Sequence, residues 1–202
     1  MSRYNDDDNQ CCCCCIPGPP GMPGTPGAPG APGPAGPAGV CDCKCLPTGQ
    51  LVANGGMEVF TENVPTGWTT TTSTLIAQQT DGGRVHSGSS AVNISKGGNL
   101  SQAITIPTNS PCYYKFSFFA NGSGSNVGFT ASVTFVTPGG NVNGGSVTVR
   151  DTDLVNSSNN FAYFNLITSA APLTATQAII TFSIPAGEGG QSINFDDVSF
   201  GI

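Results

Sequence analysis

The chain has 202 residues and a net charge of −6, and 9% of its residues are charged, against roughly 25% in an average soluble domain. Its six Lys and Arg are scattered from Arg3 to Arg150, so no basic patch supports nucleic-acid binding. No apolar run approaches the ~18 residues of a membrane-spanning helix.

The N-terminal "MSRYNDDDNQ", residues 1–10, is acidic and polar, and its composition predicts a segment that stays disordered unless a partner orders it. It has no apolar h-region and does not read as a secretory signal. Residues 11–15 are five adjacent cysteines: Cys11, Cys12, Cys13, Cys14 and Cys15. Residues 16–40 follow as a rod, with glycine at Gly18, Gly21, Gly24, Gly27, Gly30, Gly33, Gly36 and Gly39 without a miss. Only glycine fits at the crowded axis where three polyproline-type strands meet, so this unbroken period predicts a collagen-like triple helix and a homotrimer. The rod would be short, roughly 65 Å at about 3 Å per residue. Its triplets carry no charged residue, so no interchain ion pair supports them. Such a rod needs clamps.

The cysteines are suited to that task. In the clamp and linker of residues 41–50, Cys41, Cys43 and Cys45 alternate with Asp42 and Lys44, which puts three sulfurs on one side of an extended chain. Adjacent cysteines meet the usual Cα separation of about 4.4–6.8 Å poorly within one chain. Interchain disulfides through Cys11 to Cys15 and through Cys41, Cys43 and Cys45 are therefore expected. The N-terminal run would also tie the fibre to a cysteine-rich surface protein or to the next subunit. Thiolate metal binding is the competing reading, but neither tract has C-x2-C pairs and the only histidine, His86, lies far away. Cys112, alone in "SPCYYKF", reads as a buried free thiol.

Residues 51–202 change pattern to short alternating runs separated by Gly, Asn, Ser and Pro. In "FTASVTF", Phe129, Ala131, Val133 and Phe135 share one side; in "AIITFSI", Ala178, Ile180, Phe182 and Ile184 do. "YYKFSFFA" points Tyr114, Phe116 and Phe118 inward, and "INFDDVSF" points Ile193 and Phe195 inward. Further strands are expected near 57–60, 68–77, 91–94, 100–106, 145–150, 161–168 and 192–200. About ten strands and no helical period predict an all-β domain, an antiparallel β-sandwich of jelly-roll type.

Several pieces of this region carry a resemblance. "NGGMEVF" at 54–60, "VPTGW" at 64–68, "HSGSSAVNI" at 86–94, "LSQAITI" at 100–106 and "INFDDVSF" at 193–200 resemble, in order, the galactose-binding-like jelly rolls. That group includes carbohydrate-binding modules opening on N-G-G-F-E and closing on I-D-D-V. The rod resembles the collagen-like glycoproteins of bacterial exosporium hairs and spore appendages. In many of the modules the opening Glu and closing Asp pair frame a structural calcium, so the resemblance implies Glu58, Asp196 and Asp197 as its neighbourhood, completed by loop carbonyls. The alternative is that the two aspartates satisfy a turn and backbone amides at a strand end.

A sugar-binding face needs exposed aromatic platforms flanked by polar groups. Trp68 in "PTGW" is expected in the core, as in the related modules, and Tyr113, Tyr114 and Tyr163 lie in strands where each could equally pack. Catalysis has little support: His86 has Ser87, Ser89 and Ser90 nearby in sequence, which builds no triad, and it reads as an exposed loop residue. The N-x-Ser sequons follow from composition, and Thr25 is the one threonine of the triplets. The expected protein is not an enzyme. It is a disulfide-cross-linked homotrimeric fibre component on a bacterial spore surface or appendage, reached by cell lysis rather than secretion. The alternative is a trimeric carbohydrate-binding or adhesin head on a collagen stalk, as on a phage fibre, with a glycan ligand.

Overall fold

The computed structural model describes residue 45 and residues 49–123, 127–154, 157–187 and 191–202. The acidic N-terminus, Cys11 to Cys15, the rod glycines Gly18 to Gly39, Cys41 and Cys43 lie outside the described residues.

Eleven strands are described, all paired antiparallel. A small hairpin, β1 (Phe60–Thr61) with β2 (Val64–Pro65), stands apart. One sheet has the order β5 (Asn99–Thr105), β10 (Gln177–Ser183), β7 (Phe129–Thr137), β8 (Gly140–Val149). The other has the order β3 (Ile76–Gln79), β4 (Ala91–Ser95), β11 (Ser192–Gly201), β6 (Lys115–Ser123), β9 (Ala162–Ile167). From β3 onward, only β3–β4 and β7–β8 are successive strands in one sheet; every other connection crosses between sheets. Each crossing closes the sandwich and buries two inner faces on one another.

The alternation read from sequence is what fills that core. Phe129, Ala131, Val133, Phe135, Ala178, Ile180, Phe182, Ile184, Tyr114, Phe116, Phe118, Ile193 and Phe195 are all buried. Phe182 stacks on Phe195 at 4.3 Å, and Phe118 meets Phe182 edge-on at 4.9 Å. Trp68 is buried as expected and stacks near Phe182. Offset and edge-to-face pairs of this kind add roughly 0.5–1.5 kcal/mol each beyond area burial.

Two expected strands are mostly something else. Around 57–60, the Asn54 side chain accepts from the amides of Glu58 and Val59, both at 3.1 Å, and bends the chain into a turn with positive φ at Asn54 and Met57. Over 68–77, Thr69 makes a lone bridge to Ser101, a 3-10 turn spans Ser73–Leu75, and the strand begins at Ile76. Here Thr70 and Thr72 side chains take the place of a ladder, with Thr72 Oγ1 accepting from the Asn99 amide at 3.0 Å.

Cys45 corrects two expectations together. It forms a disulfide with Cys112 of the same chain, with Cα atoms 5.5 Å apart across 67 residues of sequence. Cys45 thus leaves the interchain set, and Cys112 is not a free thiol. The alternation of Cys41, Cys43 and Cys45 is a local pattern and carries no information on a partner so distant in sequence.

Candidate functional site

Three of the motif pieces, at 54–60, 86–94 and 193–200, meet in one knot at the middle of β11. A bulge there sets Asp197 at φ 47°. The Gly55 carbonyl accepts from the Val198 amide at 2.8 Å, and a Cβ on Gly55 would lie 2.2 Å from the Val198 carbonyl oxygen. Only glycine permits that approach. Gln50 fills the other side of the irregularity, donating to the Val198 carbonyl at 2.7 Å and accepting from the Phe200 amide at 2.9 Å.

Glu58, Asp196 and Asp197 converge, but on the loop of residues 86–90 rather than on a common point. Glu58 accepts from the amides of Ser89 and Ser90. Asp196 Oδ2 accepts from the amides of His86 (2.9 Å) and Ser87 (3.1 Å), and its Oδ1 accepts from the Asp197 amide at 2.8 Å. Asp197 accepts from Ser87 Oγ at 2.9 Å and from His86 Nδ1 at 2.6 Å. All six oxygens of the three carboxylates are thus taken by hydrogen bonds. Among the described residues no three His, Cys, Asp or Glu side chains are disposed to hold a metal ion. As folded, this donor set does not fit a calcium, and the geometry is that of carboxylates satisfying a turn. Burial pushes the Asp196 carboxyl up to about 6, against the pull of the amides of Ser87, Asp197 and His86.

His86 is an exposed loop residue, as expected, but its ring is held in place. Its ring stacks on Phe119 with centroids 3.6 Å apart and meets the edge of Phe161 at 5.3 Å. A carboxylate only accepts, so the proton toward Asp197 sits on Nδ1. Ser87 Oγ donates to the same carboxylate, so His86, Ser87 and Asp197 together tie this loop to β11.

These contacts divide the outer face of the five-stranded sheet in two. Over the Phe119–Gly122 half of β6, Arg84 donates to Asn121 Oδ1 at 2.6 Å and to the Gly122 carbonyl. Asn121 Nδ2 in turn donates to the Ser157 carbonyl at 2.9 Å, and Asn159 N donates to the Gly83 carbonyl at 2.8 Å. Two loops are zipped together there, and Asn121 and Asn194 beneath them are fully buried. The other half is open. A shallow trough of about 230 Å³ is lined by Gly49, Lys115, Ser117, Ser199, Gly201 and Ile202. Tyr163 flanks it on the neighbouring strand, 46% exposed. Hydrogen bonds from Ser117 and Lys115 hold the Tyr163 phenol below its ordinary pKa, and the Lys115 ammonium lies 5.7 Å from the ring centre. The sequence leaves open whether Tyr163 packs or faces solvent; its pairing with Phe119 across β6 and β9 settles its face.

A second cleft of about 380 Å³ lies at the end of β7 and β8, between Lys96, residues 127–130, residues 148–151 and residues 185–186. Its Arg150 pairs with Asp153 at 3.0 Å on the open surface, a contact of small energetic consequence.

No family model and no curated protein matches the sequence. Solved structures do match its fold. TmCBM61, solved in complex with β-1,4-galactotriose, is 18% identical with a TM-score of 0.56, covering 75% of this chain and 97% of that one. The enzymatically active domain of bacteriophage CBA120 tailspike protein 4 is 21% identical with a TM-score of 0.52, over 75% of this chain but 21% of its own length. The arabinose-bound α-L-arabinofuranosidase MgGH51 is 20% identical with a TM-score of 0.51, over 76% of this chain and 26% of its own. The C-terminal domain therefore has the jelly-roll β-sandwich fold of carbohydrate-binding modules, as its motifs implied.

Proposed function

We propose that this chain is a stalk-borne, homotrimeric head that binds carbohydrate, displayed on the outside of a bacterial spore or its appendages, and that it performs no catalysis. The observation that carries the binding part is the open half of the five-stranded sheet. There, one half-exposed aromatic ring, Tyr163, stands beside the hydrogen-bonding groups of Lys115, Ser117 and Ser199. An apolar ring face next to a few placed donors and acceptors is what sugar recognition requires. The fold shared with TmCBM61 supports the same reading. The stalk and its three-chain stoichiometry rest on the unbroken glycine period. The spore-surface setting rests on that rod, on the cysteine tracts and on the likeness to exosporium proteins.

A glycan array with the full-length protein, followed by calorimetric titration with β-1,4-galactotriose as the first probe, tests the binding. Tyr163→Ala should weaken whatever ligand is found about tenfold, equivalent to about 1.4 kcal/mol, with the thermal melt of the domain unchanged. Full retention of affinity by that variant sinks the trough as the site. A silent array leaves the second reading, a purely structural fibre head, which the cysteine tracts and the glycine period favour.

A further inference from the structure

We propose that the end of the sandwich bearing the Cys45–Cys112 disulfide is the surface on which copies of this chain meet, with Tyr113 and Ile167 at its centre. The proposal rests on the triple-helical reading of the glycine period and adds to it a place on the head.

Four observations lead there. First, the disulfide fixes where the N-terminal segment reaches the sandwich, because Cys45 is held to Cys112 just before β6. Second, the start of β6 with the segment ahead of it runs beside the end of β9 with the segment after it. Lys115 pairs with Ile167, Thr168 N donates to the Tyr114 carbonyl, Ala171 N to the Cys112 carbonyl, and Asn109 N to the Leu173 carbonyl. Third, three of the six large apolar side chains exposed among the described residues lie on these two paired segments: Tyr113 at 62%, Ile167 at 58% and Leu173 at 55%. Tyr113 and Ile167 share a face, since Tyr113 is two residues before Lys115, the partner of Ile167. Fourth, the charge among them is turned aside, with the Lys115 ammonium directed to the Tyr163 ring.

Chain length decides the occupant. The last triplet glycine, Gly39, is six residues before Cys45, and six extended residues reach at most about 20 Å. Three chains leaving one triple helix therefore hold their Cys45 ends within about 40 Å of each other. At such spacing the effective concentration is in the millimolar range, where an apolar patch too small to dimerise free monomers is enough to bring the heads together.

The test uses the full chain with the photoreactive p-benzoylphenylalanine in place of Tyr113 or, separately, of Ile167, with Val59, 57% exposed and outside the two segments, as the control position. After irradiation, reducing denaturing gels should show covalent dimers and trimers from the first two positions and none from Val59. Sedimentation velocity of the unirradiated protein should give a trimer. A sedimenting trimer without interchain products, or with only a product at monomer mass formed with the chain's own N-terminal segment, overturns the surface while leaving the stalk intact. A sedimenting monomer overturns both.

Discussion

Asp196 has no exposed surface and three amide donors on its two oxygens. Burial is the larger influence, and it favours the neutral acid, with the adjacent Asp197 charge pushing the same way. A folded pKa of about 6, against an ordinary value of 3.8, means that the native state keeps a proton between those limits which the unfolded chain releases. This group's contribution is therefore full below about pH 4 and is lost as pH rises through 6, with an upper bound of roughly 3 kcal/mol. Urea melts at pH 4.5 and pH 7 should show wild type losing stability over that interval relative to Asp196→Asn. Equal slopes for the two proteins would show that Asp196 ionises normally. Nothing in "INFDDVSF" distinguishes its two aspartates by sequence; the bulge does, sending Asp196 under the 86–90 loop and leaving Asp197 half-buried beside His86.

The 86–90 loop shows how glycine placement carries a motif. Gly88 sits at φ +69°, and a Cβ there would lie 2.0 Å from Glu58 Oε1. Gly88→Ala should displace the carboxylate that holds the Ser89 and Ser90 amides, besides straining the backbone. The expected cost is about 1–2 kcal/mol, most of it backbone strain because the Glu58 side chain is exposed and can swing aside, read by chemical denaturation. Gly82→Ala, with nothing within 4 Å of the new Cβ, should be near neutral; equal effects at both positions would remove the close approach from the argument. At this scale the sequence was legible wherever a period of two ran long enough to decide an inner face, as in β7 and β10. It was illegible at 57–59 and 69–75, where Asn54, Thr70 and Thr72 side chains compete with strand pairing for backbone groups.

For the whole molecule, the disulfide separates two kinds of cysteine. Closing 67 residues stabilises the sandwich by up to about 4 kcal/mol in the chain-entropy account, and Cys112→Ser should lose a large part of that. A chain retaining only Cys45 and Cys112, with the other cysteines changed to serine, should run as a monomer on non-reducing denaturing gels and show the mass of one internal disulfide. Reductant-sensitive multimers from that chain would restore Cys45 to the interchain clamp. The clamp proposed for the rod now falls to Cys41 and Cys43 at one end and to Cys11 through Cys15 at the other.

Local periods did most of what sequence alone could do. A glycine every third residue is the basis of the proposed stalk, and alternation every second residue specifies a two-sheeted core, because both patterns are read within a few residues of one another. The partner of Cys45, the meeting of Glu58, His86 and Asp197, and the exposure of Tyr163 depend on segments 31 to 111 residues apart. Those distances are closed only when the strands cross between sheets, and the order of crossing is a property of the packed sandwich that no single segment contains.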